Sequence, residues 1–470
     1  MIDAKPLIPA LDGKPVAVFG LGKSGLSVVA ALCKAGAKVF AYDDNPDSVA
    51  EAKKAGATAK ELTEEMLAKC TCLVLAPGVP LTHPEPHPVV NAAKAAGVEI
   101  LSDIELLHRL GHERRVIGIT GTNGKSTTTA LITHVLTECG KRPSVGGNIG
   151  EAVFNIKMPP KDSPFVLELS SFQIDLCPGF APDTGILLNI TPDHIDRHGS
   201  VENYAAIKER IFAKPGGAAI IGVDDDFGRK IYERLKSIDN KKLIPVSVER
   251  EAPGGVYVQG GVLFDDTAGT GAVEIGSLNN IITLHGLHNM QNAACAYAAA
   301  RLEGLEAADI MAAIKTYPGL PHRQFPVRII KGVAYINDSK ATNAEASAKA
   351  LMSYRNIYWI VGGKPKDGGL EGLERYAERI RHAFLIGKYT DILAKWLDNH
   401  GIPYTLSETM DMAVKESHHM AQGERGQPGG AGVVLLSPAC ASYDQFNNFE
   451  ERGDLFVSLV QDLSEEEASA

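Results

Sequence analysis

The residues in this chain with the plainest chemical potential form one loop. Residues 118–129 read GITGTNGKSTTT. Gly124, Lys125 and Ser126 supply the end of the phosphate-binding pattern G-x-x-x-x-G-K-[ST], but Ile119 stands where its first glycine belongs. Glycines fall instead at Gly118 and Gly121. The apolar run RRVIGIT enters the loop, and the helix-like segment STTTALITHVLTECG leaves it. A strand, a turn and a helix in that order aim backbone N–H groups and the helix dipole at one point, where an anion is stabilised. Lys125 would reach the outer phosphates, and the Ser126 hydroxyl would ligate Mg²⁺. The pattern predicts a nucleotide-phosphate site of slightly altered shape. A glycine-rich turn with a solvated lysine is the plainer alternative.

Other candidates read less directly. Glu168 lies inside the apolar run FVLELS, where an unpaired carboxylate is costly, so a metal ion or a buried salt bridge must accompany it. His194 follows TGILLNI and a proline-marked turn, a place for a structural histidine as much as for a metal or substrate contact. Lys208, in YAAIKERIF, reads as a solvated helix lysine. Asn148 in GGNIG suits a turn. Asn289 and Asn292, three apart, share a helix face or cap its start. Arg323 is either a surface arginine or a guanidinium that neutralises phosphoryl charge. Lys366, in GGKPKDGG, is either solvated or the cation that a dicarboxylate requires. GLGKSG at 20–25, with Asp43 eighteen residues on, taken alone is a dinucleotide fingerprint and suggests a dehydrogenase. A non-catalytic nucleotide switch is a third possibility.

Several segments point one way together: GITGTNGKSTTT, GGNIG (146–150), VLELSSFQ (166–173), LNITPDHIDRH (188–198), HGLHNMQNAACA (285–296), NDSKATN (337–343) and LSPACASYDQFNNFEERG (436–453). They resemble the Mur ligase family over essentially the whole chain. The resemblance implies an ATP-dependent amide ligase. A substrate carboxylate is phosphorylated by ATP to an acyl phosphate, which an amine then attacks. NDSKATN and SPACASYDQF are similar to the members that add D-glutamate to UDP-N-acetylmuramoyl-L-alanine in peptidoglycan precursor synthesis. The cofactors implied are ATP and two Mg²⁺ ions.

By the same resemblance, Lys125, His194, Lys208 and Arg323 are catalytic. Ser126, Glu168, His194 and Lys208, the last as a carbamate, are the metal set. ATP is held by Gly121, Thr122, Asn123, Gly124, Lys125, Ser126 and Thr127, with Asn289, Asn292, Arg323, Asp338 and Lys340. The UDP substrate falls to Gly22, Lys23, Ser24, Asp43 and Gly78, then Asn148, Ser170, Ser171 and Gln173. In this reading GLGKSG cradles a pyrophosphate, and Asp43 lies near the uracil. D-glutamate falls to His194, Thr342, Lys366, Ser442 and Phe449. Two departures from the family pattern stand at Phe325, where relatives commonly carry glutamate, and at Asp367 in the Lys366 loop.

The elements that must position these residues read as α/β throughout, with strand-like and helix-like segments alternating as in parallel sheets. Three blocks are expected. A Rossmann-like UDP-substrate domain spans 1–103, a P-loop ATP-binding domain 104–319, and a Rossmann-like amino-acid and ATP-closing domain 320–470. Closure of the third block is expected to bring up Arg323, Lys340 and Lys366.

The bulk numbers agree with that picture. Hydrophobic residues at 44% and charged residues at 22% are ordinary for a soluble globular chain. A net charge of −10 argues against nucleic acid or an anionic membrane as partner. No run approaches the ~20 apolar residues needed to cross a bilayer, and MIDAKPLIPALDGK lacks signal architecture. The expectation is a cytoplasmic monomer acting on small molecules, with its seven cysteines reduced.

Overall fold

The computed structural model describes residues 1–237, 241–366, 368–427 and 432–464. Asp367 and most of the acidic tail lie outside the described residues. Among the described residues, twenty strands build three sheets. The first sheet contains β1 (Val16–Phe19), β2 (Val39–Tyr42), β3 (Thr58–Ala59), β4 (Cys72–Leu75) and β5 (Glu99–Leu101), all parallel, in the order β3-β2-β1-β4-β5. Strand β1 is buried at every position, as a strand covered on both faces must be. The glycines of GLGKSG divide their work. A Cβ at Gly20 would strike the Ala76 side chain, and one at Gly25 would strike the Gly20 carbonyl, whereas Gly22 faces open space. The first and third glycines are therefore required by packing, and the second is left open for a ligand.

The second sheet is built from β6 (Val116–Thr120), β7 (Ser144–Gly147), β8 (Phe165–Glu168), β9 (Thr184–Leu187), β10 (Ala218–Gly222), β11 (Lys242–Ser247), β12 (Val256–Gln259), β13 (Val262–Asp265) and β14 (Val273–Ser277). Their order is β14-β13-β12-β11-β10-β9-β6-β8-β7. The pairs from β7 to β12 are parallel, and β13 and β14 add an antiparallel extension. Strand β6 lies between β8 and β9, so the loops after these three strands share one edge of the sheet. In open α/β sheets that edge, at a change of strand order, is where ligands bind.

The third sheet has the order β15-β16-β20-β17-β18-β19, from β15 (Phe325–Ile330), β16 (Val333–Asn337), β17 (Ile357–Gly362), β18 (Ile380–Ile386), β19 (Tyr404–Glu408) and β20 (Val433–Leu436). Only β15 pairs antiparallel here. The chain divides into two compact units. The first holds Met1–Asn280 and Leu287–Tyr317, and so contains the first two sheets. The second holds Ile281–Gly286 and the chain from Pro318 onward. Among the described residues no helix is long and apolar enough to cross a membrane.

Candidate active site

The phosphate-type loop joins β6 to the helix Lys125–Glu138. Gly121 and Gly124 take φ values of +151° and +86°, where a side chain would be strained. Gly124 is further constrained because a Cβ would run into the Asn292 carboxamide. Asn292 donates from Nδ2 to Asn289 Oδ1 at 3.1 Å, so the two asparagines on the helix Leu287–Leu302 act as a pair against the loop. Asn189, just beyond β9, clamps the loop from the other side. It accepts from Asn123 N–H (2.9 Å), donates to the Asn123 carbonyl (3.2 Å), and its own carbonyl takes the Thr122 N–H (2.9 Å). Lys125 Nζ curls back onto the carbonyls of Gly121 (2.8 Å) and Thr122 (2.9 Å). These are weak acceptors that a phosphate, as a charged partner, would outcompete.

Glu168 closes β8 beside this loop and is 2% exposed. Its Oε1 accepts from Asn148 Nδ2 at 2.9 Å, while Oε2 has no hydrogen-bond partner. Lys208, on the helix Val201–Glu209, is not the solvated lysine its neighbours in sequence suggest: it is 1% exposed. Its Nζ donates to Thr120 Oγ1 (3.2 Å) and to the Gly121 carbonyl (3.0 Å), and it stands 4.6 Å from the Tyr204 ring centroid. Burial, and then the nearby Lys125 charge, hold its ammonium well below the ordinary lysine range, against the opposing pull of Asp193 and Glu168. His194 is in the left-handed region at φ +52°. Its Nε2 is 3.4 Å from Asp193 Oδ2, and its ring lies 4.9 Å from that of Phe172.

Among the described residues no group of three or more His, Cys, Asp or Glu side chains could hold a metal ion. The site nevertheless fits a hard divalent cation that takes other ligands from a nucleotide. The orphaned Glu168 oxygen is the observation that favours it, with the Ser126 hydroxyl next in the donor set.

On the first sheet, the turns after β1 and β4 present Gly22 and Gly78, both facing open space. Lys23 opens the helix Lys23–Lys34. Asp43 binds the Leu21 N–H with one oxygen and the Asn45 N–H (2.8 Å) with the other, so it pins the turn after β1. The Ser24 hydroxyl donates to buried Asp103. Ser170 and Gln173 form a reciprocal capping box at the start of Ser171–Asp175. Ser171 Oγ lies 2.8 Å from His198 Nε2. Burial first, then the charges of His194, Lys208 and Arg197, push His198 down to about 4, so its imidazole is neutral at pH 7.

In the second unit, Asp338 follows β16 and Ser437 follows β20. Asp338 accepts from Ser437 Oγ (2.8 Å) and Gln324 N–H (3.1 Å), and burial raises its carboxyl to about 7. The charge of neighbouring Arg323 acts to lower it. Lys340 Nζ is 4.6 Å from the Phe449 ring centroid. A bridge between Lys364 and Ala441 holds the Lys366 loop against the segment of Ser442, with Thr342 on the turn after β16. Buried Arg452 fastens these turns. Its Nε and Nη2 donate to Ser339 Oγ (3.0 Å) and O (2.8 Å), and its Nη1 donates to Cys440 O (3.1 Å).

Residues 119–300 match the Mur ligase middle domain, and residues 14–102 match the N-terminal domain of MurD-like Mur ligases. The UDP-N-acetylmuramoylalanine–D-glutamate ligase of Agrobacterium fabrum is 47% identical over 463 residues, covering 97% of each chain. That of Chelativorans sp. is 48% identical over 467 residues, covering 97% of this chain and 98% of its own. The chain belongs to the Mur ligase family. MurF from Acinetobacter baumannii, 17% identical with a TM-score of 0.58 over 98% of each chain, shares the fold.

Within this Mur ligase, the first unit brings the predicted loop, Asn148, Glu168, Lys208, Asn289 and Asn292 to one edge of the second sheet. Asp338, Lys340, Thr342, Lys366, Ser442 and Phe449 are gathered in the second unit by the ends of β16, β17 and β20. Sequence reasoning missed Asn189, His198 and Arg452. An asparagine two residues past a buried strand is the only local signal any of them offered.

Proposed function

We propose that this Mur ligase joins D-glutamate to UDP-N-acetylmuramoyl-L-alanine at the expense of ATP, in cytoplasmic peptidoglycan precursor synthesis. The alanyl carboxylate takes the γ-phosphoryl group and ADP leaves. The amine of D-glutamate then attacks the acyl phosphate, inorganic phosphate departs, and the amine gives up a proton. The observation that carries the reading is the meeting of the Lys125 loop, the open oxygen of Glu168 and buried Lys208 at the ends of adjacent strands.

Lys125 exchanges its loop carbonyls for the outer phosphates. The loop N–H groups and the helix start of Lys125–Glu138 hold the remaining charge. Asn148 keeps Glu168 oriented, and Asn189 keeps the loop in its binding shape. Mg²⁺ ions, two in this reading and held by Ser126, Glu168, His194 and Lys208, neutralise phosphate charge when bound. Lys208 joins that set as a carbamate. Its neutral amine adds to CO₂, forming a C–N bond and releasing one proton, so that a carbamate anion stands where the neutral amine was. Thr342, Lys366, Ser442 and Phe449 take D-glutamate, and Arg323, Asp338 and Lys340 serve the nucleotide.

The test is phosphate release from ATP and Mg²⁺ with UDP-N-acetylmuramoyl-L-alanine plus, separately, D-glutamate, L-glutamate, L-lysine or diaminopimelate. Turnover should appear with D-glutamate alone. Turnover with another amino acid, or with none, would reject the assignment.

A further inference from the structure

Arg197 has no place in the chemistry above, yet it joins the first two sheets beside the site. It lies in the short helical turn Ile195–His198, three residues after His194. Its Nη1 donates to the Gly78 carbonyl (3.1 Å), and its Nη2 donates to those of Val79 (3.1 Å) and Pro77 (3.4 Å). Its Cζ stands 4.6 Å from the centroid of Phe172, the residue that also packs against His194 and His198. One guanidinium thus gathers three successive carbonyls of the turn after β4. A flat fork of donors can do this, and a single ammonium cannot cover the same spread.

The same pair of segments comes close at a second point. Gly199 has φ +78°, and a Cβ there would come within 2.8 Å of His83 Nε2. The segment 77–83 is therefore fastened to 194–199 by Arg197 and lies close against it at Gly199. Among the described residues no carboxylate lies within ion-pair distance of Arg197. Its hydrogen bonds go to carbonyls and its flat face to an aromatic ring, while the Asp175 carboxylate feels its charge from beyond ion-pair distance.

We infer that Arg197 is a positioning residue for the UDP-linked substrate. It sets the turn carrying Gly78 in register with the segment carrying His194, so that a substrate seated on the first sheet presents its carboxylate to the second. This rests on the proposed ligase reading and names a determinant of its UDP-substrate site.

The experiment is steady-state kinetics of the full chain as wild type, Arg197→Met and Arg197→Lys, varying each substrate in turn. In the methionine variant the KM for UDP-N-acetylmuramoyl-L-alanine should rise about ten-fold or more, the size of a lost charge-assisted contact. The KM values for ATP and D-glutamate should stay within about two-fold, a split that general loosening of the fold would not produce. The lysine variant should recover only part of the loss. An unchanged KM for the UDP substrate, or an equal rise for all three substrates, overturns the inference. Should the methionine variant fail to fold, a lysine variant with wild-type KM overturns it as well. Absence of turnover in the wild type would instead remove the ligase reading itself.

Discussion

Asn148 Nδ2 donates to Glu168 Oε1 at 2.9 Å, and the other oxygen of that buried carboxylate meets no donor at all. A buried charge satisfied on one side only is expensive, and its retention is explained by a cation that arrives with the nucleotide. Glu168→Gln keeps the shape and removes the charge. The ligand-free variant should melt no lower than the wild type in a thermal scan, while turnover falls by about 100-fold or more, as befits a lost metal contact. A variant that keeps both its rate and its Mg²⁺ dependence would remove Glu168 from the metal set.

Lys208 bears on the same cation. Because burial and the Lys125 charge depress its pKa, a larger share of its amine is neutral at a given pH, and that share grows as pH rises through the depressed value. Only the neutral amine can take up CO₂. Activity should fall in CO₂-depleted buffer, return on adding bicarbonate, and return more completely at higher pH. Lys208→Arg, which keeps charge but cannot form the carbamate, should be inactive under all these conditions. A ¹³C carbamate resonance in labelled bicarbonate should vanish in that variant. A wild type indifferent to CO₂, with no such resonance, would exclude the modification.

Much of this architecture is legible in the chain because parallel sheets write themselves locally: buried strands such as VIGIT and FVLE are continuous apolar runs, each ended by a turn. The Lys125 loop is legible for the same reason, since strand, glycines and helix are consecutive. Lys208 is not. Nothing in YAAIKERIF distinguishes it from a surface lysine, and its burial comes from packing against Thr120 and Gly121, nearly ninety residues earlier in sequence. Asn189 and His198 were hidden likewise, because each acts on a segment brought close only by the order of β8, β6 and β9. The Asn292–Gly124 contact shows the reverse case: both residues stand in recognisable segments, but the reason they occur together is steric and needs the fold.

Lys366 offers a test confined to the second unit. It is exposed on a loop held by the Lys364–Ala441 bridge, and Gly363 has φ +123° where a Cβ would strike the Ala441 carbonyl. An exposed ammonium on a fixed loop suits a carboxylate that must enter and leave. Lys366→Ala should raise the KM for D-glutamate by about ten-fold, the scale of one charged hydrogen bond, with little change in the KM for ATP. Isotherms for ATP binding should overlay those of the wild type. Equal losses for both substrates would assign the loop a structural role instead.

His198 makes the first unit sensitive to acid. In the folded chain it is held neutral down to about 4, by burial first and then by neighbouring positive charge such as that of Arg197, with Asp196 opposing. An unfolded histidine titrates near 6.5. Between those values the unfolded state binds the extra proton, so stability rises with pH across that window. The contribution is fully present above about 6.5 and is lost as pH falls toward 4. His198→Gln can keep a hydrogen bond to Ser171 but cannot titrate. Urea midpoints measured at pH 7.5 and pH 5 should therefore drop more for the wild type than for His198→Gln, with the two proteins closest at the acid end. Parallel losses in both would mean that other groups carry the acid response, and that the buried Ser171–His198 pair is held too loosely to resist protonation.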